Sequence, residues 1–379
     1  MNIGIITGYR IINYGSVLQA YATQEAIKSY GHTTKLVRFE NNKNDLFKML
    51  GIARNLVSIY HWNLRFQRIK TKKNRAKENS EERIKKFIDF IEKNIIETEQ
   101  LSCGKELKEA VRQFDIVVAG SDQIWHPSNR TLHYFTLDFI NDIKKISYAS
   151  SFGVSRLPVQ MKFGYKKALS QFDYITVREQ SGVEIVEDLG LKAYLVVDPT
   201  LLLTAEEWSK VARYKESYQD YIFCYFLGSR KEGRIKAEEM KRKTGMKIIT
   251  IASIDDHIEL DDEYADSIVD KAGPEEFLGL IKNAKYVFTD SFHCSVFSII
   301  FNKQFFTFKR FNNNSKISTN SRIENLLGLL GMEDRICDEE TKIDSIQDVN
   351  FIEVQRKLEF LRKESKKHLE EALKGDRIV

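Results

Sequence analysis

A chain of 379 residues, 42% hydrophobic and 11% aromatic, holds enough apolar material for a folded core and enough length for two domains. Lys and Arg number 59 against 54 Asp and Glu, and a net charge of +5 does not mark the chain as a whole as a nucleic-acid binder. No stretch approaches the ~20 apolar residues of a membrane span, the opening MNIGIITGYR lacks the basic start and apolar core of a secretory signal, and Cys103, Cys224, Cys294 and Cys337 form no CxxC pair. The expectation is a cytoplasmic protein with buried thiols, no metal site and no disulfide framework.

Ile3 to Thr7 reads as a buried strand, and Ser16 to Tyr30 as a helix with Leu18, Tyr21, Ala22 and Ala26 at helical spacing, closed by Gly31. Lys35 to Phe39 is then a second strand. This strand, glycine turn, helix and strand make the opening unit of a parallel α/β sheet, in which ligands sit at the carboxyl ends of the strands. Tyr14 and Gly15 lie at that mouth. From Phe47 to about Glu99 the chain becomes basic and helical, with Arg65, Arg68, Lys70, Lys72, Lys73, Arg75 and Lys77 in close succession. Ile84, Phe87, Ile88, Ile91 and Ile95 form a stripe expected to pack on the first domain.

Strand grammar resumes at Asp115 to Ala119, followed by Gly120-Ser121-Asp122, and at Lys145 to Ser150, followed by Ser151-Phe152-Gly153. Tyr174 to Val177 precedes Arg178-Glu179, and Tyr194 to Val197 precedes Asp198-Pro199-Thr200. Each strand thus ends in small or polar residues, which would deliver polar groups to one rim. A second cycle begins at Tyr221 to Leu227, with a basic helix from Arg230 to Lys243. Strands at Lys247 to Ala252 and Ile268 to Val269, a helix from Pro274 to Asn283, and a strand at Tyr286 to Thr289 follow. Asp290-Ser291-Phe292-His293 ends that last strand. The alternation divides the chain into Rossmann-like domains at 1–215, with the basic insertion at about 47–99, and 216–345, plus a final helix from Phe351 to Leu373 within 346–379 that can pack back across the cleft.

Asn13-Tyr14-Gly15 with Leu18-Gln19-Ala20-Tyr21-Ala22, the run Val118 to Trp125, Tyr148 to Gly153, Val177-Arg178-Glu179, Val197 to Thr200 and the Asp290 to His293 turn resemble the polysaccharide pyruvyl transferase family, in that family's order and over nearly the whole chain. The resemblance implies a glycosyltransferase-B-like fold, α/β with two Rossmann-like domains facing a cleft. It also implies phosphoenolpyruvate as donor, a nucleotide- or lipid-linked sugar acceptor for surface polysaccharide, no cofactor and no obligatory metal. The chain departs from the family pattern at two places. Ser291-Phe292-His293-Cys294 stands where many members have Arg-Leu-His-Gly, and Asn312, Asn313 and Asn314 stand where some have a lysine. Lys309, Arg310, Lys316 or Arg322 can substitute.

Phosphoenolpyruvate carries a carboxylate and a phosphate, so its site needs cations and N–H donors. Arg178, directly after an apolar strand, is one candidate for the catalytic centre; its alternative is a structural ion pair. His293 is the other, since a proton must reach the donor's methylene carbon and histidine titrates near neutrality; a lone histidine can equally be structural. Gly120, Ser121 and Asp122 either cradle an anion or, in the case of Asp122, cap the next segment. Ser291, Lys309, Arg310 and Arg322 complete the candidate donor set. Asn13, Tyr14, Gly15, Gln19 and Trp125 are the candidate acceptor side, although Gly15 can simply permit a tight turn and Trp125 can be core. Asp198 before Pro199 reads as a helix-entry or interdomain residue. The basic run is either a solvated helix face or, with Leu56, Ile59, Tyr60, Trp62 and Phe66, a contact with the anionic inner leaflet. A sugar-nucleotide glycosyltransferase, with Glu324 or Asp290 toward a ribose, and a non-catalytic sugar-binding relative are the rival readings.

Overall fold

The computed structural model describes residues 1–39, 77–102, 104–129, 131–214, 218–252, 259–310 and 321–374. Most of the basic segment, including Arg65, Arg68, Lys70, Lys72, Lys73 and Arg75 with Trp62 and Phe66, lies outside them. So do Cys103, Asn312 to Asn314 and Lys316.

The described residues form two main parallel sheets and a two-stranded parallel pair. The first has the order β2-β1-β3-β4, from Asn2–Ile6 (β1), Thr33–Leu36 (β2), Ile116–Ala119 (β3) and Lys144–Ser147 (β4). Thr176–Val177 (β5) and Tyr194–Leu195 (β6) pair with each other. Isolated bridges from Ile146 to Tyr174 and from Ser150 to Val177 tie them to the edge of the first sheet. The second sheet has the order β12-β11-β10-β7-β8-β9. Its strands are Tyr221–Tyr225 (β7), Lys247–Ile251 (β8), Ser267–Val269 (β9), Tyr286–Thr289 (β10), Gln304–Phe308 (β11) and Ile336–Cys337 (β12). β3 and β7 are buried along their whole length, as strands covered by helices on both faces must be.

The first helix, Tyr14–Lys28, starts two residues before the expected position because the Asn13 side chain accepts from Ser16 N. The helix carries Tyr14 into the second half of the chain. There its ring stacks on Phe277, with centroids 4.4 Å apart and planes 6° apart, and its hydroxyl donates to Ala272 O. The helix Lys77–Asn94 also bridges the halves. Phe87 meets Tyr14 and Phe90 meets Tyr21, while Arg83 donates to the carbonyls of Asp270 and Ala252 and Lys86 pairs with Glu276. The stripe expected to pack on the first domain is therefore divided: Phe87, Ile91 and Ile95 are buried, but Ile84 and Ile88 stay at the surface beside a groove that Ile11 and Phe39 also line.

The helix Phe351–Lys374 makes its first contacts with the second half, through Gln355 to Ile299 O and Lys357 to Leu330 O. Its later turns contact the first half. Arg362 donates to Leu201 O and Leu203 O, and Ser365 Oγ accepts from Val197 N. Cys224, Cys294 and Cys337 are buried and unbridged. Among the described residues no helix is long and apolar enough to cross a membrane.

Candidate active site

Three polar strand ends of the first half converge. β3 leads into Ser121 and Asp122, β5 into Arg178 and Glu179, and β6 into Asp198. Arg178, with a side chain 1% exposed, donates from Nη1 to Asp198 Oδ2 at 2.6 Å and reaches Asp122 Oδ1 at 3.4 Å from Nη2 and Glu179 Oε2 at 3.6 Å from Nε. Ser121 Oγ also donates to Asp198 Oδ2, at 3.0 Å, and Thr200 gives N–H and hydroxyl to Asp198 Oδ1. Glu179 Oε1 accepts from Ser151 Oγ and Gly153 N. Burial would raise the Asp198 carboxyl, but contact with His293 and the charges of His293 and Arg178 hold it far below the ordinary carboxylate range. Asp122 is likewise held low against its burial, by Arg178 first, then His293 and Ser16. Asp122 also sits at φ 76°, a left-handed backbone that a non-glycine residue adopts only where its surroundings enforce it. Its carboxylate accepts from its own chain at Gln123 N and from Ser16 Oγ.

The second half brings His293. β10 ends at Thr289, whose hydroxyl accepts from Ser291 N. Ser291 caps the helix Phe292–Ile300 by accepting from Cys294 N. That places His293 in the first turn, facing the first half. Its Nε2 lies 3.7 Å from Asp198 Oδ2, too long for a hydrogen bond, and has no other partner. Its Nδ1 side faces Gly15 so closely that a Cβ built there would lie 2.0 Å from Nδ1. Glycine at 15 is thus needed for the approach of a ring from another part of the chain, which turn geometry alone would not require. A buried nitrogen without a partner needs a physical explanation, and a group that binds or reacts supplies one.

Beside His293, the Phe292 ring is approached by two guanidinium groups, Arg178 at 4.9 Å and Arg322 at 5.3 Å from its centroid. Arg178 is surrounded by carboxylates. Arg322 is not: among the described residues it forms no ion pair, and its shielded Nε has no hydrogen-bond partner. Burial, and then the charge of Arg178, push it down to about 9. A guanidinium keeps its proton at working pH, so this depression marks a cation whose burial the charges of Asp122 and Glu179, neither of them ion-paired to it, offset only in part.

Other expected site residues stand elsewhere. Gly120 N–H is used by Ile6 O, and the Ser121 side chain is turned to Asp198. Tyr14, Gln19 and Trp125 are fully buried, with Gln19 Nε2 donating to Thr7 Oγ1 and Trp125 Nε1 to Phe135 O. Asn13 caps its helix. Lys309 pairs with Glu324 at 2.8 Å, and Arg310 lies 3.8 Å from Asp290, whose carboxylate accepts from Leu227 N and Gly228 N. Sequence reading underrated Asp198, at the centre of the cluster, and passed over Phe292. The signal for Asp198 was present, in an acid following a buried strand like the other rim residues; for Phe292 there was none. Among the described residues no group of three or more His, Cys, Asp and Glu side chains is placed to hold a metal ion.

The family described as polysaccharide pyruvyl transferase matches residues 13–310. Solved structures of similar fold include the UDP-GlcNAc 2-epimerase from Neisseria meningitidis bound to UDP-GlcNAc, with a TM-score of 0.51, 11% identity and coverage of 98% of this chain and 99% of that one. A candidate UDP-N-acetylglucosamine 2-epimerase from Listeria monocytogenes aligns with a TM-score of 0.52 and 10% identity over 100% of this chain and 98% of that one. The fold is glycosyltransferase-B-like, in agreement with the expectation from sequence. No curated protein matches the chain in sequence.

Proposed function

The chain belongs to the polysaccharide pyruvyl transferase family, and we propose that it transfers an enolpyruvyl unit from phosphoenolpyruvate to a sugar, forming a pyruvate ketal in surface-polysaccharide synthesis. The observation that carries this reading is that Arg322, which forms no ion pair among the described residues, and His293, whose Nε2 makes no hydrogen bond, flank the same Phe292 ring. A compact, multiply charged anion would neutralise the first and place its reacting carbon near the second.

In the proposed reaction Arg322 holds the donor's phosphate or carboxylate, and the first turn of the Phe292–Ile300 helix adds N–H groups. His293 delivers a proton to the methylene carbon while one sugar hydroxyl attacks the adjacent carbon. Phosphate then departs with the electron pair of its C–O bond, and a second hydroxyl attacks the same carbon to close the ketal. One hydroxyl proton returns to His293 and the other leaves on phosphate. Arg178, enclosed by its carboxylates, is a positioning residue that keeps Asp198 ionised against the Nε2 edge of the ring. The acceptor is a nucleotide- or lipid-linked saccharide. Peripheral contact of the basic segment with the inner leaflet would bring a lipid-linked one to the cleft.

The test is incubation with phosphoenolpyruvate and a panel of nucleotide- and lipid-linked sugars, reading inorganic phosphate and the mass of the product. Acceptor-dependent phosphate release with a pyruvylated sugar supports the reading. Release of a nucleoside diphosphate from a sugar nucleotide, with phosphoenolpyruvate untouched, would refute it.

A further inference from the structure

The residues expected to meet the acceptor are buried, yet the second sheet offers an open polar cavity close to the site. The chain enters this sheet at β7, builds outward through β8 and β9, and returns to the other side through β10, β11 and β12. Connections therefore diverge between β7 and β10, and the crevice at the carboxyl ends of such strands is where α/β sheets bind ligands. A cavity of 350 Å³ lies there, at the small end of the range of about 300–1,000 Å³ for small-molecule sites. Asp290 lines it, three residues before His293.

Its other polar walls are Arg230, Glu232, Lys309 and Asp338, and Phe226 and Phe308 form its apolar side. The walls are held in place. Asp338 Oδ1 accepts from Glu340 N, Thr341 N and Thr341 Oγ1, and Arg234 donates to the carbonyls of Gly228 and Arg230 while pairing with Asp261. Gly233 packs so tightly that a Cβ would meet Phe226 at 2.4 Å and Phe308 at 3.0 Å. Glu232, Asp290 and Asp338 outnumber Arg230 and Lys309, so the lining disfavours a phosphate. Arg230 pairs with Glu232 and Lys309 with Glu324, and carboxylates and cations paired in this way offer adjacent acceptors and donors, which is what neighbouring hydroxyl groups of a neutral sugar require. Phe226 and Phe308 add apolar surface for the C–H face of its ring.

We infer that this cavity binds the uncharged saccharide unit of the acceptor, a subsite separate from the Arg322 anion site. The inference rests on the transferase reading for its role, though the binding can be measured alone. The experiment is saturation-transfer NMR on the full chain with glucose, galactose, mannose, N-acetylglucosamine and N-acetylmannosamine, with UDP and with UDP-N-acetylglucosamine, each in the presence of phosphoenolpyruvate. The expected result is transfer to the ring protons of a free or nucleotide-linked sugar, with affinity about 10-fold or more weaker in Glu232→Gln/Asp338→Asn and phosphoenolpyruvate binding unchanged. The thermal midpoint of the variant, expected within a few degrees of wild type, guards against unfolding. The free and linked sugars separate the two sources of the same unit. Transfer to UDP alone, equal sugar affinity in wild type and variant, or no transfer to any sugar would overturn the subsite. If phosphoenolpyruvate is never turned over but the variant still loses sugar binding, the subsite stands and the transfer reading falls. If turnover occurs with the same acceptor KM in wild type and variant, only the subsite falls.

Discussion

On the first-half rim Arg178, Asp198, Ser121 and Thr200 close a hydrogen-bonded set in which the buried cation meets carboxylates. On the second-half rim, among the described residues, Arg322 forms no ion pair and His293 Nε2 no hydrogen bond. The two rims meet across Phe292, whose ring touches one arginine from each condition. Identical side chains thus serve opposite ends: a compensated arginine fixes geometry, whereas an uncompensated one is electrostatically ready for a ligand anion. Residue type alone does not separate them, because the distinction lies in the surrounding carboxylates.

The largest effect is expected from unbalancing the compensated rim. Asp198→Ala leaves Arg178 buried with its best partner gone, which should cost about 3–5 kcal/mol by chemical denaturation. Because the Asp198 carboxyl is depressed in the fold, its contribution is complete above the ordinary carboxylate value of about 3.9 and disappears as pH falls below it. The wild type should therefore lose stability more steeply than the variant in that acid range, and parallel curves would remove Asp198 from the scaffold.

On the uncompensated rim the effect should fall on rate. His293→Gln is expected to lower turnover by about 10²- to 10⁴-fold with a smaller change in stability than Asp198→Ala. A loss under 10-fold would reassign the histidine to packing. Gly15→Ala probes the seam itself: the added methyl must displace the imidazole, so a stability cost of about 1–3 kcal/mol and a rate loss of the same sense as that of His293→Gln are expected. A fully active Gly15→Ala would show that the ring's position is not critical. The smallest effect concerns the basic segment, where each charge near an anionic surface contributes on the order of 1 kcal/mol. Co-sedimentation with anionic vesicles should fall at high salt and on changing Lys70, Lys72, Lys73 and Arg75 to Gln; equal sedimentation with neutral vesicles would leave only a solvated charge run.

Much of the scaffold was legible because parallel strands buried on both faces are written as short apolar runs. Pro274–Asn283 and Tyr286–Thr289 coincide with expectation to the residue. Strands at 35–39 and 145–150 end earlier than expected, at Leu36 and Ser147; beyond them Phe39 makes only an isolated bridge to Leu101, and Ala149 at φ 55° interrupts the second strand before Ser150 bridges Val177. β11 and β12 were not anticipated, the latter being only Ile336–Cys337, too short for any periodicity. At the site, the chain order of Ser121, Arg178 and His293 was readable as strand ends. Which of them is compensated was not, because Arg178 meets Asp198 from twenty positions away and Arg322 stacks on a ring from thirty. The burial of two candidate acceptor residues was hidden for a related reason. Tyr14 and Trp125 are amphipathic side chains that bury readily once a carbonyl takes the polar tip, as Ala272 O and Phe135 O do here.

The contrast between the rims is tested most directly by calorimetric titration of phosphoenolpyruvate into wild type and Arg322→Gln. Removing one charge-assisted contact should weaken binding by about 10- to 100-fold while the folded state is retained, because no internal carboxylate loses its partner. Equal affinity for the two proteins, or a loss of stability in Arg322→Gln as large as that of Asp198→Ala, would contradict the assignment of Arg322 as the donor's cation.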